Sequence, residues 1–218
     1  MDDKSAAQVE SIERRSSTPM ADEVGPVLLD PRVLEQFLEP ALASYRDSRG
    51  REGPLRLPRA WGLLLGRFEG SAVRVEEVHF AQNVRETDPI VLEEFRDSIV
   101  PRFGSCYSNG DRGFWCSAAD LMAIDRQAGA RGLALLGSIH MHGDLHRPGE
   151  RQSLSERPTP MDEYMFRNTG WPLNLICYLE SRGEQVFHAL GAWAPPPPDD
   201  AAHATAIPVR IATTPRRR

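Results

Sequence analysis

Ten residues near the middle of the chain do most to limit its fold: Leu133-Ala134-Leu135-Leu136, running into Gly137-Ser138-Ile139-His140-Met141-His142. A short apolar run of this kind reads as a buried strand. The two histidines fall at i and i+2 where that strand ends, and on an extended backbone such side chains point to the same side. Two imidazoles on one side can meet one metal ion. Zinc takes nitrogen ligands at roughly 2.0–2.1 Å, and a catalytic zinc usually has three protein ligands and one open position. The pattern therefore asks for a third ligand downstream, with a carboxylate the expected donor. The same pair also reads as ordinary packed or surface histidines, and spacing alone leaves both readings open.

A chain of 218 residues is long enough for one domain with a sizeable core. Its net charge of −5 argues against general nucleic-acid binding. No long uninterrupted apolar run occurs, and no apolar segment follows a basic start. Neither a membrane span nor a secretory leader is expected, and the location expected is cytoplasmic. Cys106, Cys116 and Cys177 make an odd count without metal-like spacing. They read as reduced thiols, with a Cys106–Cys116 bridge the lesser alternative.

Taken in order, residues 1–25 are polar and aperiodic and read as a flexible N-terminal tail. Asp30-Pro31 signals a helix start, and Val33, Leu34, Phe37, Leu38, Ala41, Leu42 and Tyr45 give it one apolar face, ending near Gly50. Pro40 falls inside this pattern and predicts a kink or a split. Residues 60–66 and 72–80 read as two strands of a hairpin. Residues 89–100 suit an amphipathic helix. Residues 103–109 and 113–116 carry aromatics between glycines and suggest short strands. Ser117 can cap a helix over 118–128.

After His142, residues 143–157 read as a polar loop holding Asp144, His146, Glu150 and Glu156. A short helix is expected from Met161, then strands over 173–179 and 185–193. Residues 195–218 read as a Pro-rich linker and flexible C-terminal tail, with an isolated edge strand over 205–212. The domain itself spans 26–194. His79 and His188 read as packed or half-exposed strand residues. Trp115, Trp171 and Trp193 read as core or rim aromatics, and Glu76-Glu77 and Glu93-Glu94 as solvated faces.

This order of elements resembles the JAMM (also MPN or JAB) metalloprotease domain, over roughly residues 30–193. Four pieces carry the resemblance. They are the strand Trp61-Gly62-Leu63-Leu64-Leu65-Gly66, the helix before the histidine strand, Gly137-Ser138-Ile139-His140-Met141-His142, and Pro158-Thr159-Pro160-Met161-Asp162. The last looks like the family's Pro-Ser-x-x-Asp. The resemblance implies a mixed α/β fold, cytidine-deaminase-like, with a curved central sheet flanked by helices. It makes His140, His142 and Asp162 ligands of Zn²⁺, and Thr159, in the family's serine position, a hydroxyl donor to an oxyanion. It also implies a peptidase or isopeptidase acting after the C-terminal glycine of a ubiquitin-like or sulfur-carrier protein, whose extended end would add along a sheet edge. Apart from the resemblance, Asp162 reads as a helix-start carboxylate and Thr159 as a cap hydroxyl.

Three departures from the family stand in the sequence. At the usual spacing after the second histidine lies Ser153, and Asp162 follows nine residues later. The longer loop offers Asp144 and His146 as rival ligands. Gly143 replaces the usual proline after His142. Arg59 stands where the family carries its general-base glutamate, and a guanidinium cannot shuttle a proton. A carboxylate from elsewhere could substitute, with Glu52, Glu150 and Glu156 the candidates by proximity in sequence alone. The alternative function is thus a non-catalytic scaffold or protein-binding module of the same fold. A metal-dependent deaminase is disfavoured, since no Cys-x-x-Cys occurs.

Overall fold

Asp30 starts the first helix by accepting the Arg32 amide at 2.9 Å through its side chain, with Pro31 in the first turn where its missing N–H costs nothing. In this computed structural model, which describes residues 25–50, 59–147, 150–151, 157–198 and 202–212, that helix is α1 (Pro31–Gly50). Val33, Phe37, Ala41 and Tyr45, spaced by four, form its buried stripe. Pro40 does not split it: the helix runs through. Proline removes the hydrogen bond to the Gln36 carbonyl, but Gln36 and Pro40 lie on the exposed side, where water can take its place.

The sheet is mixed and eight-stranded. Its strands are β1 (Val27–Leu29), β2 (Trp61–Glu69), β3 (Ala72–His79), β4 (Ala134–Gly143), β7 (Leu173–Arg182), β8 (Gln185–Ala194), β9 (Thr205–Ala206) and β10 (Val209–Ile211), in the order β10-β1-β3-β2-β4-β7-β8-β9. β5 (Leu145–Arg147) and β6 (Glu150–Arg151) pair separately in the loop after β4. β2 and β3 form the expected hairpin. β4 runs antiparallel to β2 and parallel to β7. That parallel pairing starts at Gly137 opposite Leu173, whose carbonyl fills the space a Cβ at Gly137 would need.

Both faces of the central strands are covered, so their apolar residues run unbroken. On one face Leu64, Leu136, Ile139, Leu175 and Cys177 pack with the α1 stripe. On the other, Leu63 and Leu65 meet Ile124 and Ala128 of α3 (Ala118–Ala130), capped by Ser117 as expected. Ile176 and Tyr178 meet Phe166 of α4 (Pro160–Thr169). The helix predicted over 89–100 is α2, which opens as Pro89–Glu94 with Asp88 as its cap, passes through a π turn at Phe95–Ile99, and ends as Val100–Phe103.

Two expectations are corrected here. Residues 103–109 and 113–116 are not strands. A 3₁₀ turn occupies Ser105–Ser108, and residues 113–117 are irregular. Side chains rather than a ladder satisfy part of their backbone: Trp115 N–H donates to Asn83 Oδ1 (3.0 Å), and the Tyr107 carbonyl accepts from the Arg85 guanidinium (2.6 Å). The second correction concerns the C-terminal region. The strand expected there is neither isolated nor outside the folded unit. β9 pairs with β8, Ile207 N–H donates to Ala192 O (2.8 Å), Val27 N–H donates to Pro208 O (2.8 Å), and β10 runs parallel to β1. One short segment is thus bonded to strands at both ends of the sheet, which curls so that β10 comes against β8. Residues 1–24, almost all of the expected N-terminal tail, lie outside the described residues.

Candidate metal centre

β4 sits deep in the sheet, flanked by β2 and β7, so its last turns of pleat are fixed on both edges. Ile139 and Met141 face the α1 core. Ser138, His140 and His142 therefore point to the opposite face. His140 lies opposite Trp61 on one side and Ile176 on the other, and His142 lies opposite Tyr178. The third member arrives on α4. Thr159 is its N-cap, and Asp162, three residues on, completes a reciprocal capping box. The Thr159 N–H and hydroxyl each reach Asp162 Oδ2 at 2.7 Å, while the Asp162 N–H donates to Thr159 Oγ1 at 3.2 Å.

The two imidazoles and the carboxylate converge. His140 Nε2 and His142 Nε2 are 3.1 Å apart, His140 Nε2 is 3.2 Å from Asp162 Oδ1, and His142 Nε2 is 3.3 Å from Asp162 Oδ2. Ligands roughly 2.0–2.1 Å from a tetrahedral zinc stand about 3.3–3.4 Å from one another. Nitrogen and oxygen donors at these separations fit such an ion, and the trio could hold a metal. Among the described residues no other group of three His, Cys, Asp or Glu side chains comes together in this way. Burial pushes the Asp162 carboxyl up, but His140 and His142 beside it outweigh that and hold it well below the usual carboxylate range.

The trio opens into a cavity of about 870 Å³. One wall is aromatic. Trp61 and Phe114 stack with centroids 4.0 Å apart, and Trp115, Trp171 and Phe166 extend the surface. Arg59 lies on the wall as well. Its Nη1 stands 3.6 Å from Glu86 and 3.4 Å from Asp111, and donates to the Gly110 carbonyl at 3.4 Å. The guanidinium thus rivets the start of β2 to two other segments, and its charge is shared by two carboxylates rather than turned unpaired on the metal site.

The rival ligand Asp144 is excluded by its bonds. It is buried and accepts from the Tyr45 hydroxyl and, at 3.2 Å, from both the Ser181 N–H and hydroxyl. The side chains of His146 and Glu150, and Glu52 and Glu156 altogether, lie outside the described residues. His79 and His188 are exposed, as ordinary strand residues. Sequence reasoning missed three cavity residues: Glu86, Asp111 and Tyr107. Tyr107 lies beside Thr159, and burial raises its hydroxyl above the ordinary tyrosine range. All three sit in turns with no periodic signal; the aromatic-glycine pattern of residues 103–116 was a clue to Tyr107 and Asp111, and nothing pointed to Glu86.

No protein-family model and no curated protein matches the chain. Among solved structures, one from Desulfitobacterium hafniense aligns over 86% of this chain and 94% of its own, at 15% identity and a TM-score of 0.47. Another, from Salinibacter ruber, aligns over 88% and 96%, at 23% identity and a TM-score of 0.42. No helix among the described residues is long and apolar enough to cross a membrane.

Proposed function

We propose that the chain is a zinc-dependent peptidase or isopeptidase of the JAMM type it resembles. The observation that carries this reading is the convergence of His140, His142 and Asp162 at tetrahedral ligand spacing beside a large cavity. Two neutral imidazoles and one carboxylate suit zinc and leave room for a fourth ligand. When bound there, the ion supplies Lewis acidity and lowers the pKa of a coordinated water. The protein's own part is to fix the ligands, exclude bulk water behind the aromatic wall and offer a proton acceptor. Arg59 cannot accept one. Among the described residues, the carboxylates lining the cavity besides Asp162 are Glu86 and Asp111, and of the two Asp111 is the more enclosed. Asp111 is the base we favour.

The proposed substrate is the C-terminal end of a ubiquitin-like or sulfur-carrier protein, joined to an amine. Both edges of β4 are already hydrogen-bonded at His140, so an incoming tail cannot pair with β4 there. It would cross the face of the sheet through the cavity instead. The test is cleavage of a linear fusion of such a carrier by zinc-loaded protein, with and without a chelator, beside His142→Ala. Cleavage that needs both zinc and His142 is expected; cleavage that survives both losses would sink the mechanism.

A second reading, a non-catalytic binding module, draws on Arg59 alone. There the metal holds β4 to α4 and the cavity binds without cutting. Zinc uptake at one ion per chain with no cleavage, also after Arg59→Gln, would favour it.

A further inference from the structure

The geometry points to Thr159 as the residue that sets metal affinity, by holding Asp162 with one oxygen committed and the other presented; this role rests on the metal site proposed above. Donors and acceptors at the start of α4 leave little choice. The Thr159 hydroxyl also meets the Tyr107 phenol, which has a hydrogen of its own to give; the ionised carboxylate only accepts, so the 2.7 Å contact with Asp162 Oδ2 uses the Thr159 hydrogen. The Thr159 N–H takes the same oxygen at 2.7 Å. Oδ2 is thus bound twice by one residue. Each oxygen also faces one imidazole: Oδ2 stands 3.3 Å from His142 Nε2 and Oδ1 3.2 Å from His140 Nε2. Oδ1 takes neither Thr159 bond, so it is the oxygen whose lone pairs Thr159 leaves toward the imidazoles and an ion.

Two consequences follow from this bonding. Thr159 cannot donate to a substrate oxyanion while its hydrogen stays on Asp162, so the family's oxyanion role does not carry over to this hydroxyl in the bonded state. The carboxylate is also fixed before any metal arrives. The capping box that starts α4 is the same set of bonds that aims the ligand, so order at the helix terminus and affinity at the metal are one property. Thr159 is a positioning residue, acting through Asp162.

The test separates the cap from the hydroxyl. Glycine caps a helix nearly as well as threonine but has no hydroxyl, whereas serine has both. Wild type, Thr159→Gly and Thr159→Ser are compared for Zn²⁺ dissociation constant, by competition with a chromophoric chelator, and for thermal midpoint without metal. Thr159→Ser should match wild type. Thr159→Gly should bind Zn²⁺ about 10–100-fold more weakly, the range for lost outer-shell partners, with a metal-free midpoint close to that of the parent. Wild-type affinity in Thr159→Gly would overturn the positioning role and return the hydroxyl to the oxyanion. A metal-free midpoint that collapses along with the affinity would also overturn it, making Thr159 a structural cap only. If wild type takes up no Zn²⁺ under metal-replete conditions, the metal site itself fails, and that outcome is distinct from the other two.

Discussion

Arg59 shows how one residue changes meaning once its neighbours are known. Aligned with a family base, it suggests that Arg59→Glu restores hydrolysis. Seen between Glu86 and Asp111, it suggests the opposite, because that substitution gathers three carboxylates in one corner. Arg59→Glu should lower the thermal midpoint by roughly 2–4 °C, the scale of about 1 kcal/mol in a chain of this size, and gain no cleavage. A variant as stable as its parent that cleaves the carrier fusion would show that the position wants a base. Cysteine chemistry gives a second check. All three thiols are free, Cys106 is exposed, and burial pushes the Cys177 thiol up to about 12. At pH 8 an alkylating reagent should label Cys106 quickly and Cys177 only on unfolding. Because the folded thiol of Cys177 holds its proton more tightly than the unfolded one, stability from this group is complete below about pH 8.5 and is lost as pH rises toward 12. Cys177→Ala should make alkaline unfolding less steep over that interval. At this scale His140 and His142 were legible, since period 2 on a strand places them together. Asp162 was legible only through resemblance, because nothing local tells a helix-start carboxylate from a ligand.

Among elements, α4 bears the most consequence, because it carries one ligand and is braced from outside. Arg167 donates to the carbonyls of Pro197 (3.2 Å) and Ala202 (3.3 Å), and Glu163 accepts from the Ala204 N–H (3.2 Å) and faces His203 (3.1 Å). The residues leading to β9 thus hold the helix that holds Asp162. Ending the chain before residue 197 should weaken Zn²⁺ binding as well as lower stability, and metal content per chain measures the first independently of the second. Helices with apolar stripes and caps, α1 and α3, were readable because their signals are local. The loop between α2 and α3 was not. Asn83 and Arg85 build it by bonding backbone groups some twenty to thirty residues away, and no sequence period records such bonds. β9 and β10 were equally opaque as sheet members, being two and three residues long with partners far away in the chain.

For the whole molecule, three of the four tryptophans, Trp61, Trp115 and Trp171, line the cavity. Intrinsic fluorescence is therefore a reporter of the site. Co²⁺ added in place of zinc should quench most of the emission, with no such loss in His140→Ala/His142→Ala. The sheet itself is tied at Ile207, which is buried and sits between the two strand ends it bridges. Ile207→Ala should cost about 2–4 kcal/mol, read in a denaturant melt. The same tie has a consequence for the order of events on the ribosome. β1 is among the first described residues to be made, yet one of its two neighbours, β10, is among the last. A nascent chain can assemble the β2–β3 hairpin and lay down β4, β7 and β8 as they emerge, but the two ends of the sheet stay apart until residues 205–212 have been synthesised. Closure waits on translation, and until then the core under α1 lacks the part that Ile207 and Val209 supply.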